Sequence, residues 1–178
     1  RRQADLLGEH FADKPLEAIY SSPLERALET AVSVAKHHEI EVVRSDGLND
    51  LSYGDWEGLT QAEVKEKYPA IYERWMTDPH LVDMPGGESL ATVSRRAVPE
   101  LEDAVVKHLG TVVLVSHRVV NKVLICHMLG LETSSFWGVR MDLGGFTVFG
   151  YRNGKFTLVR HNDVSHLAAM QTSSRTDF

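Results

Sequence analysis

Ala18-Ile19-Tyr20-Ser21-Ser22-Pro23-Leu24-Glu25-Arg26-Ala27 reads as a short strand, a tight turn and the opening of a helix. The apolar run stops at the Ser-Ser-Pro punctuation, and Ala27, Thr30-Ala31 and Val34-Ala35 then recur at helical spacing. Glu41-Val42-Val43 follows as a second short strand. Farther along, Thr111-Val112-Val113-Leu114-Val115 is an unbroken run rich in β-branched residues, the pattern of a strand buried on both faces. It gives way at Ser116-His117 to another helix, Val119 to Leu129.

The remaining segments extend this alternation. Leu6-Leu7 and Phe11 close an amphipathic helix ahead of the first strand. Thr60 with Glu63 forms a capping box for a helix that ends near Tyr68, before Pro69. A helical piece with Ile71, Tyr72 and Trp75 leads into a Pro- and Gly-bearing loop. Ser89 is an N-cap for a long helix whose apolar face carries Leu90, Val93, Ala97, Leu101, Ala104, Val105 and Leu109, with Pro99 a candidate kink. Phe146 to Tyr151 and Phe156 to Arg160 flank Asn153-Gly154, a strong hairpin signal. The pattern predicts an α/β fold: a three-layer sandwich with a mostly parallel central sheet, helices on both faces and a C-terminal hairpin. Residues 1–168 are expected to make one domain and 169–178 a frayed tail.

A chain of 178 residues, 43% hydrophobic, can bury one sizeable core and not two comfortable ones. Its net charge of −6 argues against nucleic acid or a membrane surface as the main partner, since both are polyanions, while leaving room for a local basic pocket. No apolar run approaches the ~20 residues of a membrane span. Cys126 is the only cysteine, which excludes an intramolecular disulfide and suits a reducing cytoplasm; its apolar neighbours mark it as a packing residue. His10, His37, His38, His80, His108 and His127 are scattered without the spacing of a metal site.

In an open α/β sheet, ligands bind outside the carboxyl ends of the strands. Ser21-Ser22 ends one strand and Ser116-His117 another, so Arg26 and His117 are expected at one edge of the sheet. A guanidinium fork reads phosphate oxygens bidentately, and a histidine beside it can donate hydrogen bonds to the same group or transfer protons.

Four stretches, Ser21-Ser22-Pro23-Leu24-Glu25-Arg26-Ala27, Leu48-Asn49-Asp50 through Gly54-Asp55-Trp56-Glu57-Gly58, Gly86-Gly87-Glu88-Ser89 and Val115-Ser116-His117, resemble in order and spacing those of the histidine phosphatase, or phosphoglycerate mutase-like, family. The likeness runs from Gln3 to Leu167. It implies hydrolysis of phosphate monoesters through a phosphohistidine, with no metal and no cofactor, on a small phosphorylated metabolite; a homodimer is compatible with it. Arg26 and His117 correspond to family residues that hold the phosphoryl group, and Asp50 to the acid that protonates the leaving group. Family members more often have glutamate there; aspartate is one methylene shorter, which asks the loop to sit about 1.5 Å closer. Ser22, Glu88 and Arg118 are candidate substrate-binding residues, and Glu57 a carboxylate that positions its loop. Arg118 stands where the family usually has glycine, so it either points into the anion pocket or covers the helix that begins there.

The family nucleophile is a histidine in an Arg-His-Gly motif on a strand at the start of the domain, and no residue of the quoted stretches supplies it. Residues 1–178 alone are therefore expected to be inactive, as if truncated. Arg160-His161-Asn162 mimics the motif, yet it ends a hairpin strand and leads into Asp163-Val164-Ser165-His166-Leu167, which resembles the family's closing segment. Two other readings stand beside the phosphatase: a cofactor-dependent phosphoglycerate mutase, disfavoured by the short segment between Gly58 and Gly86, and a non-catalytic binder of phosphorylated ligands. A nucleotide-cofactor enzyme is disfavoured because no Gly-x-Gly-x-x-Gly follows a strand.

Overall fold

The computed structural model describes residues 1–168 and 170. The tail expected over 169–178 lies, Met170 apart, outside the described residues. In chain order the elements are α1 (Arg2–Phe11), β1 (Leu16–Ser21), α2 (Glu25–Ala35), β2 (Val42–Arg44), α3 (Gln61–Lys67), α4 (Pro69–Thr77), α5 (Leu90–Lys107), β3 (Thr111–Val115), α6 (Arg118–Met128), β4 (Phe146–Arg152) and β5 (Lys155–Asp163).

The strands β1, β2 and β3 form a parallel sheet in the order β2-β1-β3, with Ile19 beside Val42 and Tyr20 beside Leu114. Successive side chains of a strand point to opposite faces, and the packing follows that alternation. Ile19, Val113 and Val115 pack with Ala31 and Val34 of α2 and with Leu7 and Phe11 of α1. Tyr20 and Leu114 face the larger core, built from Leu48, Trp56, Val64, Trp75, Leu90, Val93, Ala97, Val120, Val123 and Phe136. Helices thus cover both faces, as the alternation of elements predicts.

The local signals hold in detail. Thr60 and Glu63 make the reciprocal capping box of α3, and the Ser89 side chain accepts the Thr92 N–H at the start of α5. The long helix runs through Pro99 without interruption from Leu90 to Lys107. At the hairpin, Asn153 and Gly154 both have positive φ, 52° and 75°, the pair of values that a two-residue turn matching the strand twist requires.

Two expectations are corrected: Leu109, read as the end of the apolar face of α5, lies past the helix and is fully exposed, and β3 differs from its reading. β3 is only half buried, although its sequence reads as a strand buried on both faces. Its two faces are indeed covered, but among the described residues only one of its edges is paired, with β1. The hairpin forms a separate two-stranded sheet, β4-β5. Phe11 of α1 packs with the β3 side of the sheet and also meets Phe146 of β4, their ring centroids 5.2 Å apart. On the other face, Ile125 and Cys126 of α6 pack against Phe149 of β4. The parallel sheet and the hairpin are therefore bridged by the same helices while remaining unpaired with each other.

Candidate active site

The carboxyl ends of β1 and β3 lie side by side because the strands are parallel and in register, Ser21 beside Val115. The Ser22 N–H donates to the Val115 carbonyl at 2.9 Å, which fixes Ser22 next to the Ser116-His117 turn. Leu24 then caps α2 in an extended conformation, so Arg26 sits in the first turn of that helix, above the same edge. The loop from Ser45 to Ser52 crosses in front. Ser45 N–H donates to Ser21 O at 2.9 Å, and Ser116 Oγ–H donates to the Leu48 carbonyl at 2.7 Å, so both strand ends hold this loop.

Asp50 is the meeting point. Its Oδ2 accepts from Arg26 Nη2 at 2.6 Å and lies 3.4 Å from His117 Nδ1. The other ring nitrogen of His117, Nε2, is 2.9 Å from Ser22 Oγ. Ser22 Oγ–H donates to Asn49 Oδ1 at 3.0 Å, which commits its hydrogen. His117 is thereby held on both sides, by Ser22 at Nε2 and by Asp50 at Nδ1.

His117 is 95% buried as a side chain, whereas Arg26 is 62% exposed. Burial pushes the His117 imidazole below its ordinary pKa; Asp50 opposes this, and the charges of Arg26 and Arg96 add to the lowering. At neutral pH the ring is therefore neutral, and its contact with Asp50 is not an ion pair. The edge holds one buried neutral histidine, one exposed guanidinium and one carboxylate between them.

Each expected residue has a definite place. Arg26, Asp50, His117 and Ser22 form one connected cluster. Arg118 lines a cavity of about 380 Å³ with Tyr53, Trp56, Glu57, Gly58 and Leu59, next in sequence to His117. Glu57 accepts the Ser52 Oγ–H at 3.1 Å, consistent with a loop-positioning part. Glu88 differs from the others: its Oε1 accepts from Arg96 Nε at 2.9 Å, and its Oε2 from Arg96 Nη2 at 2.8 Å and from the Ser52 N–H at 3.0 Å. Expected at the rim as a substrate contact, Glu88 instead spends both oxygens on the loop that carries Asp50. That loop is also held through glycines. A Cβ on Gly54 would come within 2.1 Å of the Pro85 carbonyl, and Gly54 has a φ of 54°.

Sequence reasoning missed Arg96, which reaches from α5 into the site loop. The available signal was its position, three residues after buried Val93 and beside buried Ala97, at the border of the apolar stripe rather than on the solvent side. His161, which mimics the nucleophile motif, lies on the exposed side of β5, 3.2 Å from Thr147 Oγ1. Among the described residues no group of three or more His, Cys, Asp or Glu side chains could hold a metal ion, and no helix is long and apolar enough to cross a membrane.

Residues 1–164 match the family model of the histidine phosphatase superfamily, branch 1. Phosphoserine phosphatase 1 of Hydrogenobacter thermophilus is 36% identical over 94% of this chain and 80% of its own length. Among solved structures, Bacillus stearothermophilus YhfR superposes with a TM-score of 0.87 at 32% identity, covering 93% of this chain and 83% of that one. A phosphoserine phosphatase mutant from Entamoeba histolytica, in complex with phosphoserine, superposes with a TM-score of 0.81 at 28% identity, over 93% of this chain and 83% of that one. By family match and by its relatives, the chain belongs to the histidine phosphatase superfamily, on its phosphatase side.

Proposed function

We propose that this protein hydrolyses a small phosphorylated metabolite, with phosphoserine the first candidate, through a phosphohistidine and without a metal. The observation that carries the reading is the meeting of Arg26 and His117 at Asp50, on the carboxyl edge of a parallel sheet. Arg26 and His117 hold the phosphoryl oxygens, Ser22 fixes the His117 ring, and Asp50 protonates the departing alkoxide. Preorganised donors of this kind act by stabilising charge that grows in the transition state. The cavity beside Arg118 takes the organic part of the ester. Phosphoserine comes first because relatives of that name cover most of the chain.

The nucleophile in this reading is a histidine on a strand carrying Arg-His-Gly. In this reading that strand adds to the parallel sheet beside β3, whose pairing among the described residues is with β1. His117 is a poor substitute, since one of its ring nitrogens is tied to Ser22 and the ring is almost fully buried. The acidic net charge supports a small-molecule substrate rather than nucleic acid, and the lone buried Cys126 supports a cytoplasmic location.

The test is to react the intact enzyme with a labelled phosphate monoester in the presence of a chelator and quench it in alkali, where phosphohistidine survives. Label should remain on the protein and disappear when the histidine of the Arg-His-Gly strand is replaced. Turnover that a chelator abolishes, or label unaffected by that replacement, would refute the mechanism.

A further inference from the structure

Arg96 makes more polar contacts to the site loop than any residue assigned a chemical role. Its Nη1 donates to the Gly47 carbonyl at 2.8 Å and to the Asn49 carbonyl at 2.7 Å. Its Nη2 donates to the Asp50 carbonyl at 2.9 Å and to Glu88 Oε2, and its Nε donates to Glu88 Oε1. Both side chains of the pair are about four-fifths buried. The guanidinium thus grips three backbone oxygens of one short loop, and the loop's next free N–H, that of Ser52, donates to the same carboxylate.

The geometry points to Arg96 and Glu88 as positioning residues for Asp50, setting where its carboxyl group stands relative to the leaving-group oxygen. This rests on the reading of Asp50 as the acid of the reaction. A rigid brace is what a shortened acid requires. An aspartate cannot reach by side-chain flexing as far as a glutamate can, so its backbone must be held forward, and the three carbonyl contacts hold that backbone. The brace comes from α5, whose Leu90, Val93, Ala97 and Leu101 are buried in the main core, so the loop takes its position from the most rigid part of the molecule. Arg96 has no substitute in this role. Lysine offers one ammonium instead of a planar fork and cannot serve a bidentate carboxylate and three carbonyls at once. The Arg96 fork also holds the Glu88 carboxyl below its usual pKa, with the Ser52 N–H adding to the effect and burial opposing it, so the pair stays charged at working pH.

The distinguishing experiment varies the leaving group. An alkoxide needs a proton on departure and a nitrophenolate does not. Arg96→Lys, Glu88→Gln and Asp50→Asn in the intact enzyme are each assayed on an alkyl phosphate and on p-nitrophenyl phosphate, with thermal melts run alongside. Asp50→Asn should lower kcat/KM on the alkyl ester at least tenfold more than on the nitrophenyl ester. Arg96→Lys and Glu88→Gln should show the same preference, smaller in size. Equal losses on the two esters in both brace variants, with Asp50→Asn still discriminating, would overturn the positioning role and leave the acid assignment standing. Failure of Asp50→Asn to discriminate would overturn the acid assignment and the positioning role with it. Should Arg96→Lys not fold, Glu88→Gln decides alone, because it preserves shape while removing the charge and turning one accepting oxygen into an NH2 that cannot accept.

Discussion

Replacing Arg26 by alanine separates function from stability more cleanly than any other change at this site. The side chain is 62% exposed, and its ion pair to Asp50 at 2.6 Å is open to solvent on the arginine side. Exposed pairs are worth about 0–1 kcal/mol, so the melting temperature should fall by no more than about 2–4 °C for a chain of this size. The effect on catalysis should be far larger. A bidentate cation aimed at a phosphoryl group strengthens as charge grows in the transition state, and losing one such donor costs about 2–4 kcal/mol. At 1.36 kcal/mol per decade, that is a fall of about 30- to 900-fold in kcat/KM. The assay is steady-state hydrolysis of phosphoserine by the intact enzyme with a chelator present, beside a thermal melt. Arg26→Lys should fall between the two, because it keeps the charge and loses the fork. A kcat/KM for Arg26→Ala within threefold of wild type, with the protein folded, would refute the phosphate role. A melting temperature lowered by 10 °C or more would show that the arginine is structural and that the exposed-pair estimate is wrong.

Two further expectations follow from protonation. His117 and His166 both have lowered pKa values, chiefly through burial; His10 lowers His166 further, while Asp163 and the Gly144 backbone oppose that shift. The folded state therefore binds fewer protons than the unfolded chain, so their contribution to stability is present above about pH 6.5 and is lost as pH falls through the folded values. Denaturant melts at pH 8 and pH 5.5 should show this loss shrinking in His117→Asn combined with His166→Gln, and a pH difference unchanged by the pair of substitutions would contradict it. Separately, inorganic phosphate bound by the 178-residue chain should bring a proton with it near neutral pH, since a dianion arriving beside the neutral His117 ring favours a proton there. Calorimetry in buffers of different ionisation enthalpy measures this uptake, which should vanish in Asp50→Asn combined with His117→Asn; uptake unchanged by the substitutions would place the proton elsewhere.

The parts of the fold written in local chemistry were legible in advance. Thr60 and Glu63 announce α3, Ser89 announces α5, and Asn153-Gly154 announces the hairpin, because each signal acts within a few residues of chain. The convergence of Arg26 and His117 was legible as well, since it needs only a parallel pair of strands and the rule that ligands gather at their carboxyl ends. Arg96 was not legible. Its partners are the carbonyls of Gly47, Asn49 and Asp50, nearly half a hundred residues away in sequence, and backbone oxygens leave no mark on the identity of the residue that carries them. Glu88 was expected at the rim of the site; its bond to the guanidinium reaching it from two turns along α5 was not legible, because the sequence shows only a carboxylate beside two glycines. The half-exposure of β3 was hidden for a related reason: a β-branched run reports that both faces are covered and says nothing about whether both edges are paired.

In the proposed reaction the resting site is paired with itself. Asp50 Oδ2 stands in front of both Arg26 and His117, where a phosphoryl oxygen would be received, so the carboxylate acts as a placeholder for the substrate's charge. Displacing it is cheap on the arginine side, because that contact is exposed and worth about 1 kcal/mol or less. The displaced carboxylate has little freedom, since the carbonyl of Asp50 remains in the grip of Arg96 and the loop remains tied to Ser116 through Leu48. A phosphate that takes over Arg26 therefore leaves Asp50 close by, released from its cation and facing the bound ester. The same event that binds the ester thus prepares the acid that releases its alcohol. The order is built into the geometry: Arg26 is exposed and can change partners, whereas His117, Arg96 and the backbone of Asp50 are held in place.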